Sequence, residues 1–389
     1  MTPLPPFTAK LATMKRLESA LRLLDFAELD LRPAMREVLA GMGVATPTPV
    51  QSAALPVGLV GQDLIAIAPA GTGKTLAYAL SILTHFTKSP EARALVLVPS
   101  REVATQIIGV FERLSADAPF RSVLLIGGVR DNNHNNQMKK MPRLIVATPG
   151  RLNDLLRGNK LLLQGVSTLV IDEADRMLDL GFGLQLKEIQ ATMRGTRQTM
   201  LFSATFGRNV EALAESFMRE EAVVLHAGDV AAPAAELKQK VFFIPSSMKN
   251  DLLIEEIKDL KGTVMVFTGS RESCEALGEH LRQNALSVDL VHGELSQGHR
   301  SRVVRDFRDG KFRVLVCTDL LARGFDVPDV ELVVNFELPF KYEDVLHRLG
   351  RTARAGRSGK AITFITPKDD DAYEKLRPYF KGAQEIRKR

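Results

Sequence analysis

Ala68-Pro69-Ala70-Gly71-Thr72-Gly73-Lys74-Thr75 follows the apolar run Leu64 to Ala68 and precedes the helical-looking Leu76-Ala77-Tyr78-Ala79-Leu80. A strand that turns through glycines into a helix lets backbone N–H groups wrap a phosphate. Lys74 adds a positive charge there, and Thr75 offers a hydroxyl to magnesium. Downstream, Val170-Ile171-Asp172-Glu173-Ala174-Asp175 ends another apolar run with three carboxylates in four residues. Carboxylates this close repel, so they need a cation or hydrogen-bond donors nearby. The pair of segments describes a nucleoside triphosphatase with its metal held between Thr75 and Asp172.

Short β-branched runs alternate with helix-period stretches from about residue 45 to 225, at Asp63–Ala68, Ala94–Pro99, Ser122–Gly127, Arg143–Thr148, Thr168–Asp172 and Thr199–Ser203. Continuous apolar strands separated by helices indicate a parallel sheet covered on both faces. The rhythm restarts at Thr263–Thr268, Ser287–His292, Phe312–Thr318, Leu332–Phe336 and Ala361–Thr366, beyond a weakly patterned Ala/Gly/Pro stretch read as a flexible linker. The expected class is therefore α/β, with two parallel-sheet domains in tandem. Its divisions are an extension over 1–25, a nucleotide-binding domain over 26–226, a linker over 227–238, a second domain over 239–366 and a short basic-ended tail over 367–389. A chain of 389 residues is long enough for two domains of roughly 150–200 residues.

Leu11, Met14, Leu17, Leu21 and Leu24 recur at helical spacing, which predicts a short packing helix before the first domain. No apolar stretch approaches the roughly 18–20 residues that cross a bilayer, so no membrane is expected. A net charge of +6 leans mildly toward polyanionic partners. Cys274 and Cys317 stand far apart with no His or Cys at ligand spacing, which excludes a zinc site of their own and suits a reducing, cytoplasmic interior. The Asn-rich segment Asp131 to Asn136 reads as a polar surface turn, its His134 having no second strong metal ligand nearby.

Ligands of such sheets bind beyond the carboxyl ends of the strands. Pro99-Ser100-Arg101-Glu102, Gly127-Gly128, Thr148-Pro149-Gly150-Arg151, the acidic cluster and Ser203-Ala204-Thr205 all fall on that edge. Each alone could be a turn or a helix cap. In the second half, His347 to Arg357 places an arginine every third residue with no acidic residue among them, which favours an external anion over a merely solvated face. Arginines so supplied can stabilise phosphoryl transfer.

In order, these segments resemble a DEAD-box ATP-dependent RNA helicase, with Asp172-Glu173-Ala174-Asp175 spelling the family's name. The resemblance runs from about Phe26 to Thr366 and includes Pro47 to Gln51, Gln297 to Arg300, Thr318-Asp319 and Ala322-Arg323-Gly324-Phe325-Asp326. It implies two RecA-like domains, ATP and Mg2+ as cofactors, and RNA as a largely sequence-independent partner. Phe26 would then stack on adenine and Gln51 read its edge. Ala70, Gly71, Thr72, Gly73, Lys74 and Thr75 would cradle phosphate, with Thr75 and Asp172 serving the metal. Glu173 would orient or deprotonate the attacking water, Gly324 and Asp326 would meet the nucleotide, and Arg351 and Arg354 would act as arginine fingers. Asp175, Ser203, Thr205 and His347 would form the coupling element. RNA would be gripped by Pro99, Arg101, Gly128, Thr148 and Arg151, then by Gln297, Arg300, Thr318 and Asp319. Ribonucleoprotein or ribosome-assembly partners are expected in addition.

The chain departs from the family pattern at Val44, where Phe usually follows the glycine, and at Ala70 and Ser100, where Thr is usual. The cradle, Lys74 and Arg101 remain, so activity is expected to survive. A non-unwinding RNA clamp and a DNA-directed helicase stay open as rivals. A P-loop kinase would leave the second domain and its arginines without a role. The terminal Arg387-Lys388-Arg389 reads as a frayed end with weak RNA attraction.

Overall fold

A computed structural model describes residues 15–17, 24–69, 71–127, 131–193, 195–219, 221–226, 237–319, 330–339, 342–353, 358–380 and 382–388. The chain divides into two compact units, Met1–Val230 and Ala231–Arg389.

The first unit is built on an eight-stranded, all-parallel sheet in the order β1-β8-β2-β7-β6-β3-β5-β4. Its strands are β1 (Lys15–Leu17), β2 (Leu64–Ile67), β3 (Arg93–Leu97), β4 (Ser122–Leu125), β5 (Leu144–Ala147), β6 (Val166–Ile171), β7 (Gln198–Ser203) and β8 (Val223–His226). Successive side chains of a strand point to opposite faces, and both faces here are packed. Leu64, Ala66, Val96, Val146, Val170 and Phe202 face one apolar cluster, shared with the helices Pro49–Leu59, Lys74–Lys88 and Arg101–Leu114. Ile65, Ile67, Leu95, Ile145, Ile171 and Leu201 face the other, with the helices Pro149–Gly158, Ala174–Asp179, Gly183–Thr192 and Arg208–Phe217. Double burial is why these strands read as unbroken apolar runs.

The second unit repeats the plan with seven parallel strands in the order β11-β12-β10-β13-β14-β9-β15. These are β9 (Leu237–Phe243), β10 (Val264–Thr268), β11 (Val288–Val291), β12 (Val314–Thr318), β13 (Leu332–Asn335), β14 (Gly359–Ile365) and β15 (Gln384–Arg387).

Four sequence expectations are corrected. Leu17 lies in strand β1, paired in parallel with β8, so Lys15–Leu17 of the predicted N-terminal helix is sheet; ladder hydrogen bonds on an open edge outweigh its helical spacing. Strand β9 begins at Leu237, inside the stretch assigned to the linker. The Asn-rich segment is helix, Asp131–Lys139, rather than a turn, because His134 and Met138, one turn apart, are both buried. The tail is packed rather than frayed. Beyond Thr366, Tyr373, Leu376 and Phe380 enter the core, β15 adds to β9, and the Arg387 guanidinium lies 4.2 Å from the Phe243 ring centroid.

Candidate nucleotide and RNA site

Because every strand of the first sheet runs the same way, the carboxyl ends of β2, β7, β6, β3, β5 and β4 form one edge, in that order. The phosphate loop leaves β2, Ser203 ends β7, and the acidic cluster leaves β6. Arg101, Gly127 and Thr148 follow β3, β4 and β5. Strand order thus divides the edge into two halves, one with the phosphate loop and one with Arg101, Gly127 and Thr148, with β6 between them.

The phosphate loop turns through Gly71 (φ 77°) and Gly73 (φ 91°), a backbone region that side chains other than glycine rarely adopt. A Cβ at Gly73 would also collide with the Gln51 amide nitrogen. The helix Lys74–Lys88 starts directly after it. Lys74 Nζ donates to Ala68 O at 2.7 Å and to Pro69 O at 3.3 Å, so the loop's own carbonyls hold the cation that a phosphate would attract. Thr72 Oγ1 donates to Pro69 O at 2.8 Å, and Thr48 Oγ1 to Thr72 O at 2.7 Å.

Gln51 is spent inside the protein. Its Oε1 accepts from Thr48 N at 3.0 Å and its Nε2 donates to Gly73 O at 3.0 Å, tying the cap of the helix Pro49–Leu59 to the loop. Phe26 is packed into the core at 5% exposure and offers no open platform for a base in this arrangement.

Asp172 is buried, and burial together with the adjacent Glu173 charge pushes its carboxyl up to about 6. Glu173 N donates to its Oδ1 at 2.9 Å. Tyr78 donates its phenolic proton to Oδ2, also at 2.9 Å, and burial beside that carboxylate holds the phenol well above its usual range. Tyr78 escaped the sequence reading, although its spacing of four from Lys74 puts both on one helix face. Glu173 sits in the left-handed region at φ 52° and pairs with Arg176 at 3.0 Å.

The structure gathers Ser203 and Thr205, the residues of the first unit expected to couple, around Asp175. Asp175 Oδ2 accepts from Ala204 N (3.2 Å), Thr205 N (2.9 Å) and Thr205 Oγ1 (3.0 Å), while Asp175 N donates to Ser203 Oγ at 3.3 Å. Strand β7 and the turn after β6 are thereby locked at the boundary of the two halves.

On the half expected to meet RNA, Pro99 is buried and Ser100 caps the helix that opens with Arg101. The Arg101 guanidinium lies over Gly127, where an added Cβ would come within 3.1 Å of Nη2. Thr148 precedes the helix Pro149–Gly158 with no side-chain cap bond, and Arg151 is held by His134. In the second unit, Gln297 opens the helix Gln297–Arg308, which carries Arg300, and Thr318 ends β12. His347 lies in the helix Tyr342–Leu349. Ala70, Gly128, Gly324, Asp326 and Arg354 lie outside the described residues.

The arginine series departs from expectation. Its helix ends at Leu349, and Arg351 follows in a turn, buried, with its N–H donating to Arg348 O at 3.1 Å. Arg348 does have an acidic partner, contributed from 29 residues upstream. Its Nε and Nη2 donate to the two carboxylate oxygens of Asp319 at 2.6 and 2.9 Å. Asp319, taken as an RNA contact, is thus first of all the counter-ion of a buried guanidinium.

Two family models match the chain, DEAD/DEAH box helicase over residues 48–213 and helicase conserved C-terminal domain over residues 248–356. The chain is 36% identical to DEAD-box ATP-dependent RNA helicase 30 of Arabidopsis thaliana, across 88% of its own length and 59% of that protein's. It is also 36% identical to the ATP-dependent rRNA helicase RRP3 of Encephalitozoon cuniculi, across 91% of this chain and 88% of that one. Among solved structures, S. cerevisiae Dbp5 bound to RNA and ADP BeF3 matches with a TM-score of 0.81 at 31% identity, across 94% of this chain and 95% of that one. By these matches, which span the phosphate loop, the Asp172 cluster and the Asp175–Ser203–Thr205 lock, the protein belongs to the DEAD-box helicase family.

Proposed function

We propose that this protein is an RNA-dependent ATPase that uses ATP-driven closure of its two lobes to unwind short RNA duplexes locally or to remodel ribonucleoprotein. The observation that carries the reading is the parallel edge of the first sheet. There a phosphate loop and a desolvated carboxylate stand beside Arg101, Thr148 and Arg151, joined through the Asp175 lock.

The residues fit ATP and Mg2+. Gly71 and Gly73 open the loop, Lys74 is already held by carbonyls at its mouth, and Asp172 is a buried carboxylate in want of a cation. Bound Mg2+ would neutralise charge developing on the phosphates. Lys74 and the loop amides would bind phosphate, while Thr75 and Asp172 would hold the metal. Glu173 would accept the proton of the attacking water, and Arg351 and Arg354 would supply positive charge to the transferring group. Phe26, Gln51, Gly324 and Asp326 would serve the nucleoside; for Phe26 this requires leaving its core packing, and for Gln51 release of its bonds to Thr48 and Gly73. The RNA grip would combine Pro99, Arg101, Gly128, Thr148 and Arg151 with Gln297, Arg300, Thr318 and Asp319, and His347 would complete the coupling set.

No helix among the described residues is long and apolar enough to cross a membrane. Cys274 and Cys317 are free and buried, which supports a reducing, cytoplasmic setting. The rRNA helicases among the relatives support ribosome-assembly particles as partners.

ATP turnover measured with single-stranded RNA and with DNA of matched length tests the reading. RNA is expected to stimulate strongly and DNA weakly. Equal stimulation would give the protein to DNA-directed action, and turnover without displacement of a labelled strand would make it a clamp.

Tyr78→Phe tests the carboxylate. The phenol donates to the ionised form of Asp172 and so lowers its pKa. Removing a hydrogen bond to a charged group, worth about 1.5 kcal/mol, raises that pKa by about one unit. The acid limb of Mg2+-dependent nucleotide binding should therefore move to higher pH. An unmoved limb would show that Tyr78 contributes packing alone.

A further inference from the structure

Glu173 stands at the cap position of the short helix Ala174–Asp179, but its side chain makes no cap bond, and its backbone is left-handed where a cap is usually extended. The carboxylate bonds elsewhere. Arg176, one turn on, donates from Nη1 to Glu173 Oε2 at 3.0 Å. Among the described residues that is the only hydrogen bond the carboxylate accepts. The two ends of the pair differ in burial: the side chain of Arg176 is 6% exposed and that of Glu173 28%. The arm that carries the guanidinium is itself fixed. Arg176 N donates to Asp175 Oδ1 at 3.0 Å, while Oδ2 of the same carboxylate holds Thr205, and Ala174 and Met177 of the helix are fully buried.

We propose that Arg176 is a positioning residue for hydrolysis, holding one oxygen of the Glu173 carboxylate so that the attacking water meets a base of fixed orientation. The inference rests on the reading of Glu173 as the group that accepts the proton of that water. A partly exposed glutamate has several rotamers open to it until a partner fixes its carboxylate. A general base works only within hydrogen-bond reach of the proton it takes, so an unheld carboxylate spends part of its time out of place. Arg176 holds without blocking: it takes Oε2, and Oε1 accepts no bond among the described residues. Because the guanidinium is buried, its ordering is met when the chain folds and not when ATP binds. Because its backbone is tied to Asp175, the base is held on the same turn that Ser203 and Thr205 lock to β7. A spacing of three brings the two side chains to one face, with the glutamate on the favoured N-terminal side.

The test uses the full chain with saturating RNA, reading steady-state ATP turnover, single-turnover hydrolysis and the binding stoichiometry of a fluorescent ATP analogue. Arg176→Met keeps the apolar stem but removes the donor. It is expected to lower kcat by about tenfold to a hundredfold, the scale of a misplaced catalytic group, with nucleotide stoichiometry, KM for ATP and RNA affinity unchanged. Arg176→Lys, whose ammonium can still reach a single oxygen, should recover most of kcat. In a Glu173→Gln background, where the proton can no longer be accepted, Arg176→Met should cause no further loss of single-turnover hydrolysis. Arg176 is engaged elsewhere as well, so reduced stoichiometry would mark a folding defect, and Arg176→Leu then takes the place of Met in the same cycle.

A kcat unchanged in Arg176→Met, a loss as deep in the Lys variant as in the Met variant, or the same fold-loss on top of Glu173→Gln would overturn the positioning role while leaving Glu173 as the base. If Glu173→Gln alone turns ATP over as the parent does, the reading of Glu173 fails and the proposal falls with it.

Discussion

Glu173→Gln is expected to bind ATP as the parent chain does and to lose about 10²- to 10⁴-fold of RNA-stimulated turnover, the range of a missing general base. The substitution keeps shape and an acceptor oxygen, so the hydrogen bond to Arg176 can persist and the short helix Ala174–Asp179 need not move. What is lost is the capacity to take a proton. Asp172 is untouched and remains able to hold a metal. The backbone gives a reason to place chemistry here. Glu173 is held at φ 52°, a conformation uncommon for a residue with a side chain.

A second readout separates catalysis from collateral damage. The Glu173 charge is one of the two causes that push Asp172 up to about 6, and neutralising it should bring Asp172 back toward the ordinary carboxylate range. Metal-dependent nucleotide binding in the variant should therefore persist to lower pH, even as single-turnover hydrolysis fails. Normal hydrolysis would remove Glu173 from the mechanism. Failure of nucleotide binding would show instead that the turn, and not the proton transfer, had been broken.

The strands that sequence made legible are those buried on both faces, since a run such as Leu64-Ile65-Ala66-Ile67 has no polar alternation to confuse. The strands it missed are β1 and β15, at sheet edges, and β8 and β9, each next to one of those edges. Gln384-Glu385-Ile386-Arg387 is polar at three of four positions and becomes β15 only because β9 offers it a ladder. Among site residues, local motifs were readable where one short segment carries the chemistry, as in the phosphate loop. Contacts between distant segments were not. Nothing near His134 announces Arg151, 17 positions on, and nothing in the arginine series announces Asp319. Tyr78 lay between these cases: its helical phase was visible, but its partner Asp172 is 94 residues away.

Asp319→Ala is expected to cost the second unit about 3–5 kcal/mol, the scale of removing one partner from a buried ion pair, and to cost more than Arg348→Met. The asymmetry follows from burial. Arg348 is fully enclosed, its guanidinium 5.1 Å from the Phe267 ring centroid. Its other acceptors among the described residues are neutral, with Nη1 donating to Asn335 Oδ1 at 3.2 Å and to Glu337 O at 2.7 Å. An arginine does not give up its proton in a protein, so removing Asp319 strands a charge in the interior. Removing Arg348 is milder. The Asp319 side chain is 33% exposed and can return to water, while Met fills much of the vacated volume. Asp319→Asn keeps a hydrogen-bonding group without the countercharge and should fall between. Urea unfolding of the full chain, followed through the transition of the second unit, gives the order. If Arg348→Met proves the costlier change, the guanidinium is better solvated than its burial implies. The expected order also governs how Asp319 is tested as an RNA contact: weakened RNA binding in an Asp319 variant counts as lost contact only where the second unit is shown to remain folded, because its carboxylate is already engaged in holding Arg348.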